Sequence, residues 1–218
     1  AEFQFTGTGF LLRDTAYLVT NRHVVLPWTS GNRMQAFENA GLQAEMLRLV
    51  VYLPDHPEPI EAEVNATSEA VDLAVLSIDP SRTEGRGLRL ADSLPRPGEE
   101  VYLLGYPTGL KALLAQAGPG FLQSIEKKEK VDFWTVAARL SEKNLIRPLA
   151  SRGIVAQISP GAVAYDAETT VGGSGGPALN RNGQVVAVNA AILPEFGGSN
   201  IGVPVPHLKA LLEKAIEN

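Results

Sequence analysis

The sequence has no cysteine, no long apolar run and no excess of basic residues, and each absence excludes a class of protein. Without cysteine the fold uses no disulfide, which fits the cytoplasm and the periplasm equally. No run of about 20 apolar residues is present, so we predict no transmembrane helix and no membrane partner. Lys and Arg total 19 against 24 for Asp and Glu, a formal charge of −5, so we predict no nucleic-acid partner. The His, Asp and Glu residues form no cluster with metal-ligand spacing, so we predict no metal.

The most informative stretch that is present is a serine among glycines, followed by an apolar run. It reads Val-Gly-Gly-Ser-Gly-Gly-Pro-Ala-Leu over 171–179. A serine hydroxyl becomes a nucleophile when a base takes its proton, and the tetrahedral intermediate then needs backbone N–H donors for its oxyanion. Glycine lets the chain take up the required conformation and lets substrate come close. We therefore predict Ser174 as the nucleophile, with Gly172 N–H and Ser174 N–H as the oxyanion hole.

Two upstream stretches supply the other groups that this chemistry needs. His23 lies in the strand-like run Leu-Val-Thr-Asn-Arg-His-Val-Val over 18–25, and Asp72 opens the run Asp-Leu-Ala-Val-Leu. Histidine serves as a base near neutral pH, and a carboxylate can hold its tautomer and stabilise the imidazolium. We predict a catalytic triad of His23, Asp72 and Ser174, which requires no cofactor.

A rival prediction comes from the same glycines, because Gly172-x-Ser174-x-Gly176 also fits the nucleophile elbow of an α/β-hydrolase. That fold needs an acid and a histidine after the serine. The chain after Ser174 contains His207 but no aspartate, and too little sequence remains there for the rest of such a sheet. We therefore prefer the triad in the order His23, Asp72, Ser174.

The order His23, Asp72, Ser174 along the chain resembles that of the chymotrypsin-fold serine proteases. The sequences around these residues resemble most of all those of the bacterial HtrA/DegP branch. The resemblance extends over 5–106 and 151–217 and includes Gly7-Thr8-Gly9-Phe10 and the segment 183–191. It implies an all-β fold of two six-stranded antiparallel barrels, and a serine endopeptidase that cleaves polypeptide substrates through an acyl-enzyme. It also favours a bacterial periplasmic or secreted protein over a cytoplasmic one. The oligomeric state stays open.

Strand and helix patterns divide the chain into the parts of one trypsin-like domain, 1–218. We predict the first barrel over 1–106, a helical insertion over 109–150, the second barrel over 151–204 and a closing helix over 205–217. First-barrel strands are predicted at 8–13, 16–20, 46–53, 60–68, 73–78 and 99–105. Second-barrel strands are predicted at 153–159, 162–166, 177–180, 184–192 and 199–204.

Two segments depart from the compact family pattern. Met34–Ala40 predicts a short helix inside 27–45, and 110–115 and 131–140 predict helices inside the insertion. Two interpretations of the insertion stay open: a cap packed beside the second barrel, or a lid near the cleft that restricts access to large folded substrates.

The specificity pocket is predicted from the offset to the serine and from the family. Its walls are 168–173 and the strand 188–191. Glu168 at the base would favour Arg or Lys in the substrate, whereas a short apolar pocket would favour a small aliphatic side chain. Asn189 either binds substrate backbone, supports the triad or is an ordinary strand residue. The candidate substrate-binding residues are Glu168, Thr169, Val171, Asn189, Ala190 and Ala191.

A different class of function stays open as well. Gly173 precedes the nucleophile where digestive proteases carry an aspartate that pairs with a new N-terminus on activation. The absence of an aspartate at this position predicts that this activation route is missing. The extra glycine further predicts that the oxyanion hole is ordered by substrate. The alternative function is a catalytically silent or latent trypsin-like fold that acts as a peptide-binding or scaffold module.

Overall fold

The structure is a computed structural model that describes residues 2–29, 39, 41–83, 85–126, 131–169, 172–193 and 199–217. The predicted helix at Met34–Ala40 lies outside these ranges apart from Asn39. The strands are β1 (Phe10–Leu11), β2 (Tyr17–Thr20), β3 (Val50–Val51), β4 (Ile60–Ser68), β5 (Leu73–Ile78), β6 (Glu100–Gly105), β7 (Leu149–Ser159), β8 (Ala162–Tyr165), β9 (Pro177–Leu179), β10 (Val185–Leu193) and β11 (Ser199–Pro204). The α-helices are α1 (Arg22–Val25), α2 (Leu110–Ala117), α3 (Pro119–Glu126), α4 (Phe133–Glu142) and α5 (Val205–Glu217).

The first β unit is an antiparallel sheet in the order β1-β2-β5-β4-β3. Strands β4 and β5 have the predicted bounds, because their apolar and β-branched runs end at turn-forming residues. The described strands form a five-stranded half-barrel here rather than the predicted six-stranded closed barrel. Its inner side chains include Leu18, Val25 and Leu76, which are almost fully buried.

The second β unit is a closed barrel of six strands in the order β10-β11-β8-β7-β6-β9. The predicted all-β class is confirmed, with one closed barrel and one half-barrel. The α/β-hydrolase alternative is wrong because every pair of named strands is antiparallel. The assignment of 99–105 to the first barrel was also wrong. Strand β6 pairs with β7 and β9, so it belongs to the second barrel. Alternation of apolar and polar residues in the sequence predicts that a segment is a strand, but it does not predict which strand lies beside it.

The segment between β6 and β7 folds as three helices with a small apolar core of their own. That core contains Leu113, Phe121, Ile125, Val136, Leu140 and Ile146. The cap interpretation placed these helices beside the second barrel. That placement is wrong, because the contacts of the helical segment are made with the first β unit. Asn144 Oδ1 accepts from the Asp55 backbone N–H at 3.0 Å, and Asn144 Nδ2 donates to the Asp55 carboxylate at 2.6 Å. The Arg48 guanidinium lies 4.8 Å from the centroid of the Trp134 ring. The lid interpretation stays a prediction.

One apolar cluster joins the two β units. It combines residues of β1, β2 and β5 with residues of β9, β10, β11 and α5: Phe10, Leu12, Val19, Leu73, Val75, Leu179, Val185, Val188, Val203, Leu208, Leu211 and Ala215. The C-terminal helix has the predicted bounds, 205–217. Its Leu208 and Leu211 side chains pack in this cluster. Among the described helices, none is long and apolar enough to cross a bilayer.

Candidate active site

His23 and Asp72 are brought together at one end of the first sheet. His23 lies in α1, directly after β2, and Asp72 directly precedes β5, the neighbour of β2. The ring nitrogen Nδ1 of His23 lies 2.6 Å from Asp72 Oδ2, and the His23 backbone N–H donates to Oδ1 at 3.0 Å. Because a carboxylate only accepts, Nδ1 carries the proton and Nε2 is left as the basic nitrogen.

The electrostatics of Asp72 favour its ionised form. Partial burial by itself raises the pKa of this carboxyl group. The hydrogen bonds from the His23 side chain and backbone, the charge of the ring and the Arg22 backbone N–H together outweigh burial and hold the pKa below its usual value. Asp72 is therefore ionised wherever His23 has to act as a base.

Ser174 lies in the turn before β9, close to the residues that precede His23. A Cβ atom placed on Gly175 would lie 3.2 Å from the Asn21 backbone nitrogen. The loop 172–176, called the nucleophile loop after the predicted role of Ser174, therefore packs against the chain two residues before His23. The Ser174 hydroxyl donates to the Ala190 carbonyl at 3.4 Å. Among the described residues, no hydrogen bond joins this hydroxyl to the His23 ring.

The two predicted oxyanion donors have no protein acceptor within the described ranges. Gly172 has a φ of +100°, a left-handed conformation that favours glycine, and a side chain there would collide with the Tyr106 carbonyl. The Gly173 carbonyl accepts from Asn189 Nδ2 and from Gly176 N–H, both at 3.1 Å. Because the peptide is trans, the Ser174 N–H points the opposite way, away from Asn189. The ordering of the Gly172 N–H by substrate stays a prediction, because the peptide that carries this N–H is shared with Val171, which lies outside the described residues.

Asn189 is buried and supports the nucleophile loop. Its Oδ1 accepts from the hydroxyl of Tyr165 at 2.7 Å, and its backbone carbonyl accepts from Gly175 N–H at 2.8 Å. Tyr165 has no exposed surface, and burial raises its pKa, so it stays protonated as a donor. Of the alternatives for Asn189, these contacts favour support of the loop that carries Ser174.

The other candidate specificity residues are spread along one loop and one strand. Glu168 has an exposed side chain, while its backbone carbonyl accepts from the Ser151 hydroxyl at 2.6 Å. Thr169 and Ala190 are half-buried. Ala191 lies on β10 opposite Ile201. Val171 falls outside the described residues.

Three supporting residues were missed by the sequence reasoning. Asn21 is fully buried and donates to the Asp72 backbone carbonyl at 2.7 Å, and Tyr165 orients Asn189. Thr8 contacts the nucleophile loop through its backbone and its side chain. The placement of Thr8 between two glycines was a usable signal, whereas nothing local marks a buried tyrosine in a strand as a partner of a distant asparagine.

Comparisons with known sequences show which family this chain resembles. A family model described as a trypsin-like peptidase domain matches residues 7–188. A DegP-like periplasmic serine endoprotease of Bartonella henselae is 29% identical over 215 residues, which cover 97% of this chain and 33% of that protein. The mitochondrial serine protease HTRA2 of Drosophila ananassae is 26% identical over 211 residues, covering 97% of this chain and 39% of that protein. The chain thus spans between a third and two fifths of the length of these relatives.

Solved structures share the fold at lower identity. A serine endoprotease from Yersinia pestis superposes with a TM-score of 0.67 at 18% identity, covering 99% of this chain and 59% of that one. The active form of the Rv3671c protease from M. tuberculosis gives a TM-score of 0.63 at 20% identity, covering 96% and 73% of the two chains.

Proposed function

Because this chain belongs to the trypsin-like peptidase domain family, we propose that it is a serine endopeptidase whose triad is His23, Asp72 and Ser174. Gly172 N–H and Ser174 N–H bind the oxyanion. The observation that carries the proposal is the pair of hydrogen bonds between His23 and Asp72, at 2.6 and 3.0 Å, beside a glycine-flanked serine. This pair fixes the ring and its tautomer, which is the condition for Nε2 to act as a base.

The reaction proceeds in two halves. Ser174 Oγ attacks the scissile carbonyl carbon and transfers its proton to His23 Nε2, and the former carbonyl oxygen becomes the oxyanion. The intermediate collapses, the C–N bond breaks, and the leaving amine takes the proton from Nε2, which leaves an ester on Ser174. Water then attacks this ester and gives its proton to Nε2. The ester C–O bond breaks, Nε2 passes the proton to the departing Ser174 Oγ, and the acid product and the free serine are released.

The hydroxyl must change partner before the first step. In this structure it donates to the Ala190 carbonyl at the long distance of 3.4 Å, a weak hydrogen bond. The proposed reaction requires the hydroxyl to exchange that bond for one to Nε2. Catalytic hydrogen bonds are often long without substrate and tighten when substrate binds, so the geometry fits a resting enzyme.

The substrate is a polypeptide, and we place a small aliphatic side chain in the specificity pocket. The half-buried Ala190 and Thr169 suit such a side chain, while the exposed carboxylate of Glu168 would be a weak partner for Arg or Lys. We also propose a periplasmic or secreted location, which is supported by relatives such as the Bartonella henselae protein, named as periplasmic.

Labelling with a fluorophosphonate probe tests the proposal. We expect the wild type to be labelled at Ser174, as located by mass spectrometry, and to cleave peptides. Ser174→Ala and His23→Ala should lose both properties. His207→Ala is the matched control, because His207 bonds the Pro160 carbonyl at 2.7 Å and should leave labelling intact.

The absence of a hydrogen bond between Ser174 and His23 among the described residues keeps the silent peptide-binding module as the second candidate. A folded wild type that resists the probe and cleaves nothing would favour that module. Labelling that survives His23→Ala would reject the proposed base.

A further inference from the structure

We propose that Thr8 is a positioning residue for the oxyanion hole, holding at once the two residues whose N–H groups form it. This inference rests on the proposed function, since it concerns the same reaction. Thr8 lies two residues before β1, on the first β unit, whereas Gly172 and Ser174 belong to the loop that enters the second barrel. A single residue of one unit thus controls the geometry of a loop in the other.

All four hydrogen-bonding groups of Thr8 are in use. Its backbone N–H donates to the Ser174 carbonyl at 2.9 Å, and its carbonyl accepts from the Thr20 hydroxyl at 2.7 Å. Its own hydroxyl donates to the Gly172 carbonyl at 2.6 Å and accepts from the Tyr106 N–H at 2.9 Å. Thr8 is only 3% exposed, so water does not compete for these bonds.

The nucleophile loop needs anchoring from outside itself. Gly172 and Gly173 carry no side chains, and glycine backbone is freer than that of any other residue. An oxyanion donor must nevertheless be aimed within narrow limits to stabilise the transition state. Thr8 fixes the carbonyl ends of Gly172 and Ser174, and Asn189 fixes the carbonyl between them. Three consecutive carbonyls are therefore held. The peptide that carries the Ser174 N–H lies between the two carbonyls bonded to Thr8, and the Gly172 N–H is on a residue whose own carbonyl Thr8 holds, so both groups have less freedom to turn.

The close packing around Thr8 leaves little room for the loop to move. A Cβ atom on Gly105 would lie 3.3 Å from both Thr8 Oγ1 and Gly173 Cα, and one on Gly175 would collide with the Thr8 carbonyl. A valine in place of Thr8 keeps the shape but puts a methyl group where a hydroxyl now lies 2.6 Å from a carbonyl oxygen. The Gly172 carbonyl would have to move away, carrying the loop with it.

The same hydroxyl connects the oxyanion loop to the start of the helical insertion. Tyr106 follows β6 and lies four residues before α2, and its N–H donates to Thr8 Oγ1. The Gly172 backbone also packs against the turn at Thr108 and Gly109. The insertion therefore enters the fold through a turn that contacts both Thr8 and the donor residue Gly172.

The test compares Thr8→Val with Thr8→Ser and with Thr83→Val in the whole chain. Thr83 is a matched control, because it is buried to 6% and its hydroxyl bonds the Thr15 and Pro80 carbonyls, among residues remote in the fold from Ser174. We expect Thr8→Val to lower kcat on a peptide about 10- to 100-fold with KM changed less than about twofold. Affinity for a peptide aldehyde, which forms a tetrahedral adduct on Ser174, should fall by a similar factor.

Thr8→Ser keeps the hydroxyl and should remain within about threefold of the wild type, and Thr83→Val should leave kcat unchanged. Equal kcat for Thr8→Val and the wild type, or equal losses for Thr8→Ser and Thr8→Val, would overturn the positioning role. If Thr8→Val does not fold, Thr8→Ala replaces it, because it loses the same hydroxyl without adding a methyl group against Gly172.

Amide hydrogen exchange separates failure of this inference from failure of the proposed function. If Thr8 positions the loop, the amides of 172–176 exchange faster in Thr8→Val than in the wild type, while Thr83→Val leaves them unchanged. This result is readable in a chain that cleaves nothing. An inactive wild type would contradict the endopeptidase proposal alone, whereas unchanged exchange in Thr8→Val would contradict the role of Thr8 alone.

Discussion

At the scale of single residues, the chemistry depends on how Asp72 is held. Its carboxylate receives hydrogen bonds from the His23 ring and backbone, and the Asn21 amide holds its backbone carbonyl. Asn21 directly follows β2 and Asp72 directly precedes β5, so the first sheet sets the orientation of the His23 ring. An amide at position 72 would keep the shape but could donate to Nδ1, which would favour the wrong tautomer.

We therefore expect Asp72→Asn to lower kcat about 10⁴-fold while the fold is kept. Steady-state kinetics on a peptide, together with a circular dichroism spectrum, measure this. Asp79→Asn is the matched control, since Asp79 accepts from the Ser81 N–H at 2.9 Å in a separate turn. An Asp72→Asn variant with nearly full kcat would contradict the proposed role.

The lowered pKa of Asp72 also predicts the sign of a pH effect on stability. Because its pKa is lower in the folded than in the unfolded chain, ionised Asp72 stabilises the fold above the ordinary aspartate pKa of about 3.9. This contribution declines as the pH falls below that value and through the lowered pKa. The difference in free energy of unfolding between wild type and Asp72→Asn should therefore shrink toward acid pH in urea titrations. A difference independent of pH would show that the carboxylate gains nothing on folding.

Glu168 provides the residue-scale test of specificity. Its side chain is exposed, and its backbone carbonyl is what accepts the hydrogen bond from Ser151, so we expect Glu168→Ala to leave the preference for a small aliphatic side chain unchanged. A peptide library read at that subsite, with Glu213→Ala as control, measures the preference. Loss of a preference for Arg or Lys on Glu168→Ala would instead place this carboxylate in the pocket.

At the scale of elements, the helical insertion is a small apolar unit docked on the first sheet. Its helices bury Leu113, Phe121 and Leu140, and its far end is tied to Asp55 by Asn144. An apolar cavity of about 240 Å³ lies between this unit and the sheet, with Leu18, Leu76 and Leu113 among its lining residues. Removal of the whole insertion would uncover this apolar face, so single substitutions test its contribution more cleanly.

Leu140 on α4 is fully buried, and we expect Leu140→Ala to lower the free energy of unfolding by about 2–5 kcal/mol, since it leaves a cavity. Urea unfolding measures the effect. Leu149→Ala, at a side chain that is 47% exposed, should cost far less. A loss of unfolding free energy in Leu140→Ala as small as that in Leu149→Ala would show that packing in the insertion does not stabilise the domain.

At the scale of the whole molecule, the two β units share one apolar cluster. Phe10, Val19 and Val75 come from the first sheet, and Val188 and Val203 come from the second barrel. The terminal helix covers the cluster with Leu208, which has no exposed surface. Units that bury each other in this way are expected to unfold together.

We accordingly predict a single cooperative unfolding transition, with coincident midpoints by far-UV and near-UV circular dichroism. Leu208→Ala should lower the free energy of unfolding by about 2–5 kcal/mol and shift both signals equally. Ile216→Ala, 70% exposed on the same helix, is the control and should change little. Two separate transitions would contradict the prediction of a single domain over 1–218.

The sequence by itself determined the all-β class, most strand positions and the candidate triad. Alternation of apolar residues marks a strand locally, and the chemistry of serine, histidine and aspartate is legible in motifs of a few residues each. The bounds of β4, β5 and β11 follow from such local signals. The proposed oxyanion donors were predicted from the glycines next to the serine.

Only the tertiary structure decided which elements lie beside one another. It assigned β6 to the second barrel, docked the insertion on the first sheet and connected Thr8 to Gly172, a contact between residues 164 positions apart. Such contacts depend on the path of the whole chain and leave no periodic signal in either segment. A buried threonine hydroxyl or asparagine amide is satisfied by whichever backbone group the fold brings to it, so its partner is decided only when the two β units pack.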